Sequence, residues 1–270
     1  MSPVVDIVIP SRGDSLSRRQ LLQDIERERQ GVRDSITVTV EEGPSAAANR
    51  NAGARQGSAP WIGFLDDDIR LPDSWLSSLL AVCASNSAPD LFSGPIGSVH
   101  PRNIFSMASE DFLVRHKWYQ GTGWYLVAAM IIIRRSAFTR LGGFDEDRAF
   151  GGEDWDLCQR AHTLELAIGL VDTVSCQHAN PTRFADLMRR ARPYSRWEAS
   201  RSGSDEVVQQ DIPQVPTGRN LVARVLSWPT LQYRDFRLQG RSTIRSLTST
   251  ALYVPWMASY LFHARRGHER

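Results

Sequence analysis

Short apolar runs alternate with amphipathic segments along about the first 80 residues, and this alternation restricts the fold more than any other feature. The runs Val4–Pro10, Ile36–Val40 and Trp61–Leu65 are rich in β-branched or aromatic residues, as strands buried on both faces are. Between them, Leu16–Gln30 and Ser45–Arg55 have the patterns of helices, and the second begins at a serine N-cap. We therefore predict an α/β fold with a doubly wound mixed sheet that is flanked by helices.

The third predicted strand ends in three consecutive carboxylates, Asp66, Asp67 and Asp68. Adjacent acids repel one another and are costly to desolvate, so we expect a positive charge beside them. Ligands of open α/β sheets bind at the carboxyl ends of the strands, and oxygen ligands suit divalent cations. The triplet therefore predicts a metal site, and an acidic turn that lies in solvent is the alternative interpretation of these residues alone.

Composition narrows the class of protein without indicating an activity. The net charge is only +2, so we expect no nucleic-acid partner. The three cysteines lie far apart and have no metal-ligand spacing, which indicates a reducing compartment. The N-terminus lacks the pattern of a signal peptide, and no apolar run has the length of a membrane span. These observations together predict a cytoplasmic protein.

The alternation becomes less regular after about residue 90. We predict a loop region that faces the substrate over residues 100–124, followed by a core strand over Tyr125–Ile133. Gly151 and Gly152 lead into a helix that begins at Glu153, and a last short strand is expected over Ile168–Val174.

The C-terminal part of the chain differs in character from the rest. We predict one domain over residues 1–200, and a linker and helical C-terminal appendage over residues 201–270. The segment 247–262 is apolar and aromatic and is followed by Arg265 and Arg266. Such a segment can lie in a membrane interface or pack on the domain, and the sequence leaves both interpretations open.

Five short motifs occur in order over residues 4–180, about two thirds of the chain. They are Asp6-Ile-Val-Ile-Pro10, Asn49-Arg-Asn-Ala-Gly53, Phe64-Leu-Asp-Asp-Asp68, Leu141-Gly-Gly-Phe-Asp-Glu146 and Gly152-Glu-Asp-Trp-Asp156. In this order the chain resembles the family 2 glycosyltransferases of the GT-A fold. The resemblance implies a GT-A type sheet and transfer of a sugar from a nucleotide-sugar donor to an acceptor hydroxyl, with inversion at the anomeric carbon.

The resemblance also implies roles for the acids. In the family's Asp-x-Asp (DXD) motif the first acid faces the ribose of the nucleotide and the last reaches the metal; here these are Asp66 and Asp68, with Asp67 in support. His178 stands where several members of the family complete the metal site, although a single histidine is more often structural. Nitrogen among oxygen ligands favours Mn²⁺ somewhat over Mg²⁺, so a divalent metal is the expected cofactor.

Direct displacement with inversion needs one general base, and the resemblance assigns this role to Asp154. The residue lies in the first turn of a predicted helix, where the helix dipole favours the ionised carboxylate. The alternative is that the acids of this turn only complement the dipole. The candidate acceptor contacts are Glu153 and Trp155, which flank the base, and the aromatic ring of Trp124.

The donor contacts are implied by the first three motifs. Arg50 can pair with the phosphates or orient the acids. After the second strand, the family usually carries an acid that contacts the nucleotide base. That motif is missing here, and Glu41 or Glu42 is the candidate substitute. The predicted contacts with the nucleotide-sugar are Pro10, Arg12, Asn49, Arg50, Asn51, Asp66 and Asp67.

The sequence therefore predicts a metal-dependent inverting glycosyltransferase that acts on a glycan, a glycolipid or a small-molecule acceptor. Assembly of cell envelope glycans is the expected setting, with a lipid-linked or glycan partner and a peripheral contact on the inner face of the cell membrane. One alternative is a sugar-phosphate nucleotidyltransferase, for which the segment Ser11–Asp14 is a poor match because it lacks a glycine-rich, lysine-bearing phosphate loop. Another is a non-catalytic protein that binds sugar nucleotides or acts as a scaffold.

Overall fold

The computed structural model describes the chain in several stretches, which are residues 4–30, 35–112, 114, 116–119, 122–148, 152–190, 229, 233–234, 237 and 241–267. The chain divides into two compact units. The sheet unit comprises residues 1–99 and 114–179, and the helical unit comprises residues 100–113 and 180–270. The linker predicted within residues 201–220 lies outside the described residues.

Strands and helices of the described residues alternate through most of the sheet unit. The strands are β1 (Val5–Ser11), β2 (Ile36–Glu42), β3 (Trp61–Leu65), β4 (Ile69–Arg70), β5 (Leu91–Ser93), β6 (Ile96–Ser98), β7 (Lys117–Tyr119), β8 (Gly123–Tyr125), β9 (Met130–Arg134), β10 (Ile168–Leu170) and β11 (Cys176–His178). The helices are α1 (Leu16–Glu28), α2 (Ala46–Gln56), α3 (Trp75–Cys83), α4 (Ile104–Phe112), α5 (Arg135–Leu141), α6 (Glu153–Thr163), α7 (Phe184–Arg189) and α8 (Thr243–Gly267). Ser45 caps α2 as predicted, because its hydroxyl accepts the N–H of Ala48 at 3.2 Å.

The main sheet has six strands in the order β10-β5-β9-β3-β1-β2. β1 is parallel to β2 and β3, whereas β9 is antiparallel to both of its neighbours, β3 and β5. Every residue of β1 and β3 is buried, as their apolar sequences predicted. The prediction of a mixed α/β sheet is therefore confirmed.

A smaller three-stranded sheet has the order β4-β11-β6. β11 runs antiparallel to β4, with His178 opposite Ile69, and parallel to β6, with Cys176 opposite Ile96. The sequence placed His178 just past the last strand, and this was wrong because Cys176–His178 is itself a strand. The predicted strand over Ile168–Val174 ends at Leu170, since the chain turns there before β11.

The predicted strand over Tyr125–Ile133 is also divided. β8 ends at Tyr125 and β9 begins at Met130, because the intervening main chain bonds elsewhere. The N–H of Val127 donates to His116 Nδ1 at 3.0 Å, and the N–H of Ala128 donates to a carboxylate of α6 at 3.2 Å. The region 100–124 is not a simple loop, since it contains α4 and the β7–β8 hairpin.

The helical unit contains α4, α7 and the long helix α8. Asp111 of α4 is fully buried, and Arg245 and Ser249 of α8 bind its carboxylate, both at 2.6 Å. The predicted C-terminal helix is confirmed as α8, which includes Pro255. Among the described residues, no helix is long and apolar enough to cross a membrane.

Candidate active site

Two of the three carboxylates that follow β3 face basic side chains. Asp66 Oδ1 accepts a hydrogen bond from Arg50 Nη2 at 2.7 Å, and Asp68 Oδ1 lies 3.1 Å from His178 Nε2. Strand pairing produces the second contact, because β11 pairs with β4 and the N–H of Ala179 donates to the carbonyl of Asp68 at 2.8 Å. The order of the strands therefore brings a histidine from the end of the domain to the acids in its centre.

Asp66, Asp68 and His178 form a cluster with the chemistry of a metal site. Each offers one ligand atom, and these atoms all lie within 4.8 Å of one another. Neighbouring ligands of an octahedral cation with bonds of about 2.1 Å lie about 3 Å apart, close to the separation of Asp68 and His178. Two carboxylates with one imidazole suit a borderline divalent cation such as Mn²⁺. The donor set of this cluster therefore fits the metal that the sequence predicted.

Arg50, buried on α2, joins the acid at the end of β3 to the first turn of α6. Its Nη2 donates to Asp66 at 2.7 Å and its Nη1 donates to Glu153 at 2.8 Å. Burial alone would lower the pKa of this guanidinium, but the two carboxylates outweigh burial and hold the pKa above its usual value. These contacts are those of a residue that orients acids, and contact with a phosphate stays a prediction.

We expect the change Arg50→Leu to lower the free energy of unfolding by about 3 kcal/mol, because two carboxylates would lose their shared cation in a largely buried site. Arg55→Leu on the same helix is the matched control. Its side chain is 70% exposed and lies 4.0 Å from Glu146, so we expect a change below about 0.5 kcal/mol. Denaturant titration of both variants makes the measurement, and equal losses would contradict the bridging role.

Asp154 lies in the first turn of α6, and main-chain N–H groups hold its carboxylate. Ala128 donates to Oδ2 at 3.2 Å and Trp155 donates to Oδ1 at 2.8 Å. Burial, followed by the negative charge of Glu153, raises the pKa of Asp154 to about 6, although both N–H groups oppose the shift. A carboxylate with such a pKa can take up and release a proton near neutral pH, as a general base must.

The two asparagines of α2 bind the main chain of neighbouring segments. Asn49 Nδ2 donates to the carbonyl of Ser11 at 3.3 Å. Asn51 exchanges two hydrogen bonds with the main chain of Phe144, at 2.8 and 2.9 Å. Gly143 has φ +80, and a Cβ there would lie 2.7 Å from Asn51 Oδ1, so this turn requires glycine. Contact of either asparagine with the donor stays a prediction.

The middle acid of the triplet faces the end of β1. The hydroxyl of Ser11 donates to Asp67 Oδ2 at 2.5 Å, so this carboxylate has a different partner from its two neighbours. Pro10 is buried within β1, and Arg12, just after the strand, is exposed. Asp67 is therefore suited to a supporting role at the edge where β1 ends.

A further charged group, Arg18, lies at the edge where β1 and β2 end, and the sequence analysis did not identify it. Arg18 of α1 pairs with Glu42 at the end of β2 and with Asp14 at 3.3 Å, and its Nη1 lies 3.5 Å from Ser11 Oγ. Asp14 comes just before Ser15, the N-cap of α1, and only its spacing of four residues from Arg18 is visible in the sequence. The contact with Glu42 depends on the register of β1 and β2, which places Glu42 opposite Ser11.

The predicted acceptor residues belong to α6 or contact it. Trp155 stacks on Tyr125 with ring centroids 3.9 Å apart, and the carbonyl of Trp124 lies 2.9 Å from His162 Nε2. Both tryptophans are half-buried and pack against the main hydrophobic core. Glu153 pairs with Arg50, as described above. Part of each ring thus stabilises the fold, and their contact with an acceptor stays a prediction.

A comparison with protein families identifies the chain. The family described as Glycosyl transferase family group 2 matches residues 61–263, which is most of the sequence. The chain belongs to this family. The resemblance inferred from the five motifs is therefore confirmed.

Two curated relatives show how this family 2 chain compares with longer proteins. It is 27% identical over 168 residues to the pre-mycofactocin glycosyltransferase of Mycobacterium tuberculosis, covering 57% of this chain and 33% of the relative. It is 26% identical over 201 residues to the validoxylamine A glucosyltransferase of Streptomyces hygroscopicus subsp. jinggangensis, covering 63% of this chain and 46% of the relative. The matches thus span less than half of the length of each relative.

A solved structure shares the fold. The mannosyltransferase PcManGT from Pyrobaculum calidifontis, solved in complex with GDP-Man and Mn²⁺, matches with a TM-score of 0.56 at 16% identity. The match covers 97% of this chain and 88% of that protein. The predicted GT-A type of sheet is therefore confirmed.

Proposed function

We propose that this chain is a metal-dependent glycosyltransferase that moves a sugar from a nucleotide-sugar donor to an acceptor hydroxyl, with inversion at the anomeric carbon. One connected network supports the proposal more than any other observation. The cluster of Asp66, Asp68 and His178 is joined through Arg50 to the helical turn that carries Asp154. Transfer chemistry needs charge stabilisation at the leaving diphosphate and a base at the acceptor, and the network offers both.

The metal would be held by Asp68 and His178, with Asp66 nearer the ribose of the donor. A divalent cation supplies Lewis-acid stabilisation of the negative charge that develops on the departing diphosphate. The Mn²⁺ in the similar mannosyltransferase supports manganese over magnesium. The ion pair with Arg50 keeps Asp66 oriented before the donor arrives.

Asp154 is the proposed general base. In a single displacement the acceptor hydroxyl attacks the anomeric carbon, the bond to the diphosphate breaks, and Asp154 takes the hydroxyl proton. Glu153 is less suited to this role because its carboxylate is engaged by Arg50 at 2.8 Å. The acceptor would then lie against Trp124, Glu153 and Trp155, and the last two flank Asp154 in the sequence.

The nucleotide is proposed to lie at the carboxyl ends of β1 and β2. Glu42 is favoured over Glu41 as the acid that faces the nucleotide base. Glu42 pairs with Arg18 beside Ser11, whereas Glu41 is bound by Gln56 of α2. The remaining proposed donor contacts are Pro10, Arg12, Asn49, Arg50, Asn51, Asp66 and Asp67.

The acceptor is proposed to be a hydroxyl of a glycan, a glycolipid or a small molecule. The two relatives are named for different acceptors, pre-mycofactocin and validoxylamine A, so their names do not select one class. Assembly of cell envelope glycans on the cytoplasmic side is the setting that we propose.

A thermal-shift screen of nucleoside diphosphates with Mn²⁺ tests the donor site. The matching nucleotide at a hundredfold excess over its Kd should add about 2.7 kcal/mol to the free energy of unfolding. Because Glu42 is proposed to face the nucleotide base, we expect Glu42→Gln to reduce the stabilisation by the nucleotide and to change which nucleotide base is preferred. The control change Glu41→Gln should leave the stabilisation and the preference unchanged. If no nucleoside diphosphate stabilises the protein when Mn²⁺ is present, the transferase proposal is wrong. Binding without turnover would instead favour a non-catalytic sugar-nucleotide-binding protein.

A further inference from the structure

The long helix α8 presents an apolar stripe on its exposed side. Ile244 is 79% exposed, Leu247 56% and Val254 45%, and Ala251 and Ala258 are also exposed. These five residues are separated by three, four, three and four positions, so they lie on one face of the helix. An apolar stripe of this kind normally faces the core of a water-soluble protein.

The opposite face of the first half of α8 is polar and buried. Ser246, Ser249 and Thr250 are all buried, and Ser249 donates to the fully buried carboxylate of Asp111. Arg245, the one charged residue between Thr243 and Phe262, directs its guanidinium to that same carboxylate and to Glu110. The first half of the helix thus has polar groups inside and apolar groups outside, the arrangement found where the surroundings are lipid rather than water, whereas the second half buries Tyr253, Trp256 and Met257.

Charge in the two units is distributed unequally. The helical unit contains sixteen arginines and nine acids, a net charge of +7, whereas the sheet unit contains sixteen basic and twenty-one acidic residues, a net charge of −5. Several arginines of the helical unit are exposed; they are Arg102, Arg183, Arg189, Arg234 and Arg237. The unit that exposes the apolar stripe is therefore the unit that attracts anions.

We propose that the exposed face of α8 binds the surface of an anionic membrane, with the stripe in the interface and the arginines of the helical unit at the lipid headgroups. Apolar area and basic charge are the two contributions that hold interfacial helices on such membranes. The helix would lie on the bilayer and not span it, since it is not long and apolar enough to cross. This inference goes beyond the proposed activity and does not depend on it.

A second copy of the chain fits this face less well than a membrane does. Water-soluble coiled coils flank their apolar seam with charged residues that pair across the interface. The stripe of α8 is flanked by Thr248, Leu252, Pro255 and Ser259, none of which is charged. Nucleic acid would use the arginines but would leave the apolar stripe in water.

Sedimentation of the full chain with lipid vesicles tests the proposal. We expect binding to vesicles of phosphatidylcholine with phosphatidylglycerol, much weaker binding to phosphatidylcholine alone, and a loss of binding as salt rises from about 0.1 M to about 0.5 M. The double change Ile244→Glu and Leu247→Glu should reduce partitioning into anionic vesicles at least about tenfold. The matched control is Leu16→Glu, which changes an equally exposed leucine of the sheet unit (72%) and should have no effect.

Val254→Glu provides a second, independent variant about two turns beyond Leu247 along the stripe, and should also weaken binding. Both variants change exposed positions, so circular dichroism should show unaltered helix content. Equal binding to neutral and anionic vesicles, or binding that survives both variants, would overturn the proposal. A wild-type dimer in light scattering that the double variant converts to monomer would overturn it in favour of a second copy.

Discussion

Replacing Asp154 by asparagine is expected to lower kcat by about 10²–10⁴-fold, the usual contribution of a general base. The amide has nearly the shape of the carboxylate but cannot accept the proton of the acceptor hydroxyl. Affinity for the donor should change little, because the contacts of Asp154 are with the main chain of Ala128 and Trp155. Initial-rate kinetics with the donor identified by the thermal-shift screen makes the measurement.

Asp156→Asn is the control that separates catalysis from a helix-dipole effect. Asp156 lies in the same helical turn and is bound by Arg148 at 3.2 Å and by Arg160 at 2.5 Å. If the acids of this turn only complement the helix dipole, both changes should have similar small effects. We expect Asp156→Asn to retain kcat within a few-fold, and a loss as large as that from Asp154→Asn would refute the assignment.

The pH profile offers a second test of the same residue. Burial and Glu153 raise the pKa of Asp154 to about 6, and a base acts only when deprotonated. The value of kcat/KM should therefore rise with pH and level off above about pH 6. The residual activity of Asp154→Asn should lack this acidic limb. A limb that persists in the variant would show that another group is the base.

The sequence predicted the metal cluster because its parts follow from simple rules. Asp66 and Asp68 come directly after a buried strand, and such strand ends meet at one edge of the sheet. His178 was found through the family resemblance, and the pairing of β11 with β4 provides the physical reason for its position. The motifs therefore pointed to side chains that the structure brings together, even where the predicted strand boundaries were wrong.

Contacts between distant segments could not be predicted from local patterns. Arg50 and Glu153 are 103 positions apart, and only the assembled sheet brings them together. The pairing of Arg18 with Glu42 requires the register of β1 and β2, which a pattern of alternating residues does not specify. The contacts of the buried polar residues in the first half of α8 could not be predicted for the same reason, because their partner Asp111 belongs to another helix.

The change Asp68→Asn is expected to weaken metal binding by at least the 10–100-fold that loss of an outer partner of a metal ligand costs. Asp68 is the acid that lies 3.1 Å from His178, so its removal takes a charged ligand from the cluster. Activity should fall at limiting Mn²⁺ and recover in part as Mn²⁺ is raised. Manganese titration of the variant, followed by calorimetry and by initial rates, provides both readouts.

Asp67→Asn is the most informative comparison, because it removes one carboxylate from the same triplet. Asp67 is directed to the hydroxyl of Ser11 and not to the cluster, so its loss should change the manganese affinity only a few-fold. A general effect of negative charge would instead weaken binding equally in Asp67→Asn and Asp68→Asn. Equal losses would therefore contradict the division of roles within the triplet. A loss confined to Asp68→Asn would link the metal to the side chain that faces His178.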